Sequence, residues 1–174
     1  MPSEHKYARV EWERRFLLAR LPHKAEMTQT RRIVDRYIEG TKLRLRQMSD
    51  GDSENFKLTQ KLPAETPGVR QGLITTIYLS KEEFEVLLNL PAKILTKTRY
   101  SIAPFGIDVF GNALNGLVLA EAEFNSADEA AALALPPFVV DEVTADSRFT
   151  GGSLVLATRE DLRRWVAEFG IELA

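Results

Sequence analysis

Apolar and polar residues alternate with a period of two through the first half of the chain, and β-branched and aromatic side chains fill the alternating runs. That is the pattern of strands with one face on a core. It predicts strands at 8–18, 31–38, 42–48, 55–62, 70–79, 94–100, 105–110, 117–125 and 139–145. Glu39-Gly40-Thr41, Asp50-Gly51-Asp52, Pro63 to Gly68, Pro104 to Gly106 and Gly111 to Gly116 separate them, so most neighbours should be antiparallel hairpins. Three helices interrupt the strands. Ser80 with Glu83 opens the first, which should run to about Leu90 and stop before Pro91; Ser126 with Glu129 opens the second, ended by Pro136 and Pro137. Thr158 caps the third, where Leu162, Trp165, Val166 and Phe169 form one apolar stripe and Gly170 ends it.

Successive strand residues point to opposite faces, and here one face is ionic in strand after strand. Glu11, Glu13 and Arg15 oppose Val10, Trp12 and Phe16; Lys42, Arg44 and Arg46 oppose Leu43 and Leu45; Lys57, Thr59 and Lys61 oppose Phe56, Leu58 and Leu62. Lys97 and Arg99, Asp108, and Glu121 and Glu123 continue the series. For a single strand the simplest reading is a sheet with one face in water. Taken together, whole strands carry one sign, whereas solvated faces usually intersperse signs. About eight strands is also the number at which a sheet closes into a barrel, and helices over its apolar outside would leave the charges inside. The expected architecture is therefore α+β, mainly antiparallel β, with an eight-stranded closed tunnel.

Composition narrows the function. The 174 residues suit one domain spanning 1–174, and 23 basic against 25 acidic side chains give a net charge of −2, which offers nucleic acid or an anionic membrane no basic excess. With no cysteine there is neither a disulfide framework nor a thiolate metal cluster. No apolar run reaches the length of a membrane span and the first residues lack a secretory core, so a cytoplasmic protein is expected. The charge is unevenly spread: six basic residues face two acidic ones between Arg31 and Arg46, and every charge from Glu121 to Asp146 is acidic. Arg and Lys lining an interior require an anion, and phosphate suits the guanidinium fork. Carboxylates beside phosphate make sense around a hard dication, Mg²⁺ or Mn²⁺. There is no phosphate-cradling glycine loop and no nucleophile elbow, His5 and His23 sit alone in polar stretches, and Asp50 to Glu54 is too short for a calcium loop and reads as a hairpin turn.

Val10 to Leu18, with its Glu-Trp-Glu-Arg-Arg core, resembles the E-x-E-x-K signature of the CYTH domain, or triphosphate tunnel metalloenzyme, family. Asp35-Arg-Tyr-Ile38, Leu43-Arg-Leu-Arg46, Leu58-Thr-Gln-Lys61, Leu95 to Tyr100, Asp108-Val-Phe110, Leu119 to Phe124 and Glu142-Val-Thr144 follow in the family's order. The resemblance implies an eight-stranded tunnel, a divalent metal and hydrolysis of a triphosphate-bearing substrate, inorganic triphosphate foremost. It implies metal-binding carboxylates at Glu11, Glu13, Asp108, Glu121 and Glu123, with Glu142 a further candidate, and catalytic roles for Glu11 and Glu13. Phosphate would meet Arg15, Arg44, Arg46, Lys57, Lys61, Arg70, Lys97 and Arg99. Class IV adenylyl cyclase and thiamine triphosphatase are the alternatives within the family, and a non-catalytic polyphosphate or nucleotide sensor is the alternative outside enzymes. The implied partner is a small triphosphate or nucleotide, with no membrane or nucleic acid, and there is room for a homodimer. Three positions depart from the family: Arg15 replaces the signature lysine, Gly72-Leu73-Ile74 follows Arg70 where many members are acidic, and Phe149 to Ser153 replaces a stretch often bearing Lys and Asn.

Overall fold

The computed structural model describes residues 5–23, 27–51 and 53–173, so Asp52 of the second predicted turn lies outside the described residues. The alternating segments form β1 (Arg9–Leu18), β2 (Gln29–Ile38), β3 (Leu43–Asp50), β4 (Ser53–Pro63), β5 (Arg70–Leu79), β6 (Ala92–Ile102), β7 (Phe105–Phe110) and β8 (Val118–Phe124). They pair antiparallel in the order β5-β4-β3-β2-β6-β7-β8-β1, and β1 returns to β5 from Arg9↔Ile74 to Trp12↔Arg70, which closes the barrel. Hairpins make five of these pairings, with Gly40 and Gly51 at φ 72° and 74° supplying the left-handed turn residues.

The seam is shared along β1. Its first half pairs with β5; beyond Glu13, whose N–H bonds the Val69 carbonyl (3.0 Å), the edge passes to the segment before the C-terminal helices. Val143 N–H donates to the Arg15 carbonyl and Val140 N–H to that of Leu17, each at 2.8 Å. The strand expected at 139–145 is therefore only β9 (Asp141–Glu142), because just two residues meet Phe16 and Leu17 in ladder register. Gly72 stands at the crossing with φ 127°, where a Cβ would overlap the Leu62 carbonyl; close backbone approach accounts for the glycine.

Two helices cover the apolar outside. α1 (Lys81–Leu87) has the reciprocal Ser80/Glu83 cap and sets Phe84 on Phe56, ring centroids 4.5 Å apart, above Leu45. It ends short of Leu90, with Leu88 as its last, half-helical residue. At α2 (Ala127–Ala132) the Ser126 hydroxyl accepts from Glu129 N–H, but the Glu129 carboxylate turns to Asn125 instead of completing the expected box. Arg14 ties down its far end by donating to the carbonyls of Ala130 and Leu133 at 3.0 and 3.1 Å, with Leu133 ending the helix ahead of Pro136.

The last segment departs from the expectation that helices pack around the wall. α3 (Gly151–Leu154), which the sequence pattern does not reveal, and α4 (Arg159–Ala167), capped by Thr158 and Asp161, gather Phe149, Leu154, Leu162 and Val166 against Leu17, Leu95, Phe110 and Leu119. Those four strand residues share the inward face of the ionic positions, so the C-terminal segment plugs one end of the barrel. Each fully buried Leu or Phe there contributes roughly 1.5–3 kcal/mol.

Candidate functional site

Inward alternation on eight strands converges on one cavity of about 830 Å³. Twelve of the sequence-predicted residues line it: Glu11, Glu13, Arg15, Arg44, Arg46, Lys57, Lys61, Arg70, Lys97, Arg99, Glu121 and Glu123. Register explains the meeting of the acids, since Glu13 pairs directly with Glu123 and Arg15 with Glu121 across β1 and β8. Side chains directly opposite in a ladder share a face. Glu11, Glu13 and Glu123 each offer a carboxylate oxygen, the three lying within 4.8 Å of one another. Glu11 and Glu13 are buried and Glu123 is exposed at the rim. An all-oxygen set of three carboxylates fits a hard dication such as Mg²⁺ or Mn²⁺ and offers no nitrogen or sulfur to a softer metal.

Cations already hold these acids. Lys61 Nζ lies 2.9 and 2.8 Å from the two Glu11 oxygens. Arg15 donates through Nη2 to Glu13 and through Nε to Glu121 at 3.4 Å, so its fork spans two carboxylates at once; Arg15 Nη1 has no hydrogen-bond partner among the described residues. A lysine at that position would present a single point of charge. Burial, joined by repulsion from Glu121, pushes the Glu13 carboxyl up to about 7 against the pull of Arg15 and Lys61. Glu121 is half-buried, which resists its ionisation, but Lys97, Arg99, Arg15 and Lys61 surround it and hold it well below the usual carboxylate range.

Across the cavity the cations rest on two buried aspartates. Asp35, 1% exposed, accepts from Arg46 Nε and Nη2 at 2.6 and 2.7 Å, with Arg44 Nε 3.7 Å away. Asp108, 0% exposed, accepts from Lys97 and from Arg99 Nε and Nη2 at 2.7 and 2.6 Å. Arg99 reaches on to Glu121 and lies across Gly106, where a Cβ would stand 3.1 Å from its Cδ and Nε. Burial resists ionisation of Asp35, yet Arg46, Arg44 and Lys97 bring it down to about 2; burial pulls Lys97 below its ordinary value although Asp108 and Glu121 oppose the shift.

No model of a known protein family matches the chain. Among curated proteins, an inorganic triphosphatase of Nitrosomonas europaea is 37% identical over 94 residues, a match covering 45% of this chain. The chain spans 62% of that relative's length. Among solved structures, the crystal structure of the hypothetical protein NE1496 aligns at 32% identity with a TM-score of 0.55, covering 85% of this chain and 99% of that one. The chain belongs to the family of NE1496. The crystal structure of the inorganic triphosphatase NE1496 aligns at 29% identity with the same TM-score, over 84% of this chain and 95% of that one. The PH1819 protein of Pyrococcus horikoshii, at 17% identity and a TM-score of 0.50 over 93% and 91% of the two chains, shares the fold.

Within this NE1496-like tunnel three predicted acids stand apart from the carboxylate cluster: Glu121, which lines the cavity but is held by Arg15 and Arg99, Asp108 and Glu142. Asp108 does not line the cavity and both its oxygens are engaged by Lys97 and Arg99, so the structure sets it under the basic wall instead of among candidate ligands. Glu142 faces outward, clamped by Arg14 at 3.0 and 2.6 Å and by Thr144. Asp35 stands in the Asp35 to Ile38 match but received no role from the sequence; its inward parity, opposite Arg46 on β3 and one inward step from Lys97 on β6, was the available signal. Of the family departures, Phe149 joins the buried plug and Gly151 leaves room for the Tyr37 hydroxyl. His5 and His23 are exposed and lie outside the cavity lining.

Proposed function

We propose that this chain is a divalent-metal-dependent triphosphatase of the triphosphate tunnel (CYTH) type, with inorganic triphosphate as its foremost substrate. The observation that supports it is the presence, in one cavity, of a three-carboxylate cluster facing a wall of Arg and Lys. Glu11, Glu13 and Glu123 would hold Mg²⁺ or Mn²⁺, which when bound supplies charge neutralisation at the phosphate oxygens. Arg44, Arg46, Lys97 and Arg99 grip the phosphate chain, the guanidinium forks fixing its orientation and Lys97 adding concentrated charge. Because Asp35 and Asp108 already hold these cations in place, little reorganisation is needed as charge shifts toward the leaving phosphate. Glu11 and Glu13 orient the water that attacks in line, and the plugged end leaves the chain of phosphates one direction of approach along the tunnel.

Phosphate release from triphosphate, ATP and thiamine triphosphate, each with Mg²⁺, Mn²⁺ or a chelator, tests this reading. The expected result is turnover of triphosphate above the other two, only with metal. A cyclic nucleotide plus pyrophosphate from ATP would make the protein a cyclase, and tight binding of every triphosphate without turnover would make it a sensor.

A further inference from the structure

The cavity holds two kinds of ion pair. Asp35 and Asp108 lie beneath the wall, outside the cavity lining, so the pairs they make with Arg46, Lys97 and Arg99 need not break when an anion enters. Glu11 and Glu13 differ: they line the cavity, belong to the carboxylate cluster, and spend their oxygens on Lys61 and Arg15, which also line it.

We propose that Lys61 and Arg15 are exchangeable counter-ions, so that divalent metal and polyphosphate load the tunnel cooperatively. The proposal rests on the metal and phosphate assignments above. A carboxylate that turns its oxygens to a dication releases its ammonium or guanidinium partner: Arg15, 5% exposed, then keeps only the longer contact to Glu121, which is costly until an anion meets it, and the Lys61 ammonium, 39% exposed, is freed to turn to that anion. An arriving phosphate chain meets that need, and by taking Lys61 and Arg15 it frees Glu11 and Glu13 for the metal. Arg15 has donor capacity to spare, since Nη1 has no hydrogen-bond partner among the described residues. Each ligand therefore strengthens the other, by the same factor in both directions.

The test titrates the chelator-treated full chain with Mn²⁺ by calorimetry, with and without a non-hydrolysable imido analogue of triphosphate. Mn²⁺ affinity should rise about tenfold or more with the analogue, and analogue affinity by an equal factor with Mn²⁺. Lys61→Met should bind Mn²⁺ alone several-fold tighter than the wild type and show a smaller enhancement by the analogue. Lys57→Met is the control: Lys57 lines the same cavity but sits over the Tyr78 ring, Nζ 4.9 Å from its centroid, and its loss should leave Mn²⁺ affinity near the wild-type value. If Lys61→Met matches the wild type, or Lys57→Met matches Lys61→Met, exchange is overturned even while the protein hydrolyses triphosphate. A wild type that neither binds Mn²⁺ nor releases phosphate removes the functional reading, and the exchange with it.

Discussion

The two sides of the tunnel solve one problem, the burial of charge, in opposite ways. On the basic side the neutralising groups are aspartates sunk below the lining, with Asp108 under Lys97 and Arg99 and Asp35 under Arg46. On the acidic side of β1 and β8 the neutralising groups are themselves part of the lining, Lys61 on Glu11 and Arg15 on Glu13 and Glu121. The difference separates a rigid receptor from a surface whose pairs can be traded. It also separates carboxylates that serve the fold from those that serve a ligand, and substitutions of equal size on the two sides should have unlike consequences.

The largest contrast is in turnover. Glu11→Gln keeps the shape of the carboxyl but replaces one oxygen by an NH2 group and loses the charge, and kcat should fall by about 10³-fold or more while the melting temperature changes little. A variant retaining even a tenth of wild-type activity would remove Glu11 from the reaction. On the other side, Asp108→Asn leaves Lys97 and Arg99 facing each other without their shared counter-charge. Breaking such a buried pair should cost about 3 kcal/mol of stability and raise KM, with Mn²⁺ affinity nearly unchanged. Loss of Mn²⁺ binding in that variant would return Asp108 to the ligand set.

The contrast also has opposite signs in pH. Asp35, at about 2 in the fold against an ordinary 3.8, contributes stability that is complete above pH 3.8 and is lost as the pH falls through 2. At about 1.4 kcal/mol per unit this is on the order of 2 kcal/mol. Glu13, raised to about 7 from 4.5, works the other way: between those values the folded protein keeps a proton that the unfolded chain has released, so stability falls as the pH rises through that window. In urea melts of chelator-treated protein, the penalty of Asp35→Asn should shrink toward pH 2. Glu13→Gln should instead match the wild type near pH 4 and exceed it at pH 8, while abolishing turnover. Two variants that shift stability in the same direction at pH 8 would erase the distinction.

Much of this was legible in the alternation of residues. The eight barrel strands and the ionic parity that aims twelve side chains at one cavity follow from period two alone, because a strand gives each residue only two directions to face. What was not legible depends on registry between distant segments. Whether Asp108 lines the tunnel or lies below it depends on Lys97 and Arg99 of β6 folding over it, and the plug depends on residues far apart in the chain, such as Leu17 and Phe149, meeting at one end. The two-residue β9 was obscured for the same reason, since 139–145 has strand-like composition but only a short length of free β1 edge to pair with.

The smallest effect should come from a position without a side chain. Gly106 shares the inward face of Asp108 and pairs with Glu121, and the Arg99 guanidinium crosses it to reach that glutamate. A methyl group there would meet Arg99 Cδ and Nε at 3.1 Å and Cζ at 3.3 Å, which the arginine can relieve only by lifting a few tenths of an ångström into the cavity. Gly106 has no positive φ to defend, so the backbone should accept alanine and stability should change by about 1 kcal/mol or less. KM for triphosphate should rise a few-fold with kcat nearly kept, because the phosphate would meet a displaced fork while the acidic side is untouched. An unchanged KM would mean that the exact seat of Arg99 is immaterial to phosphate capture, and that the basic side is less rigid a receptor than its buried aspartates make it.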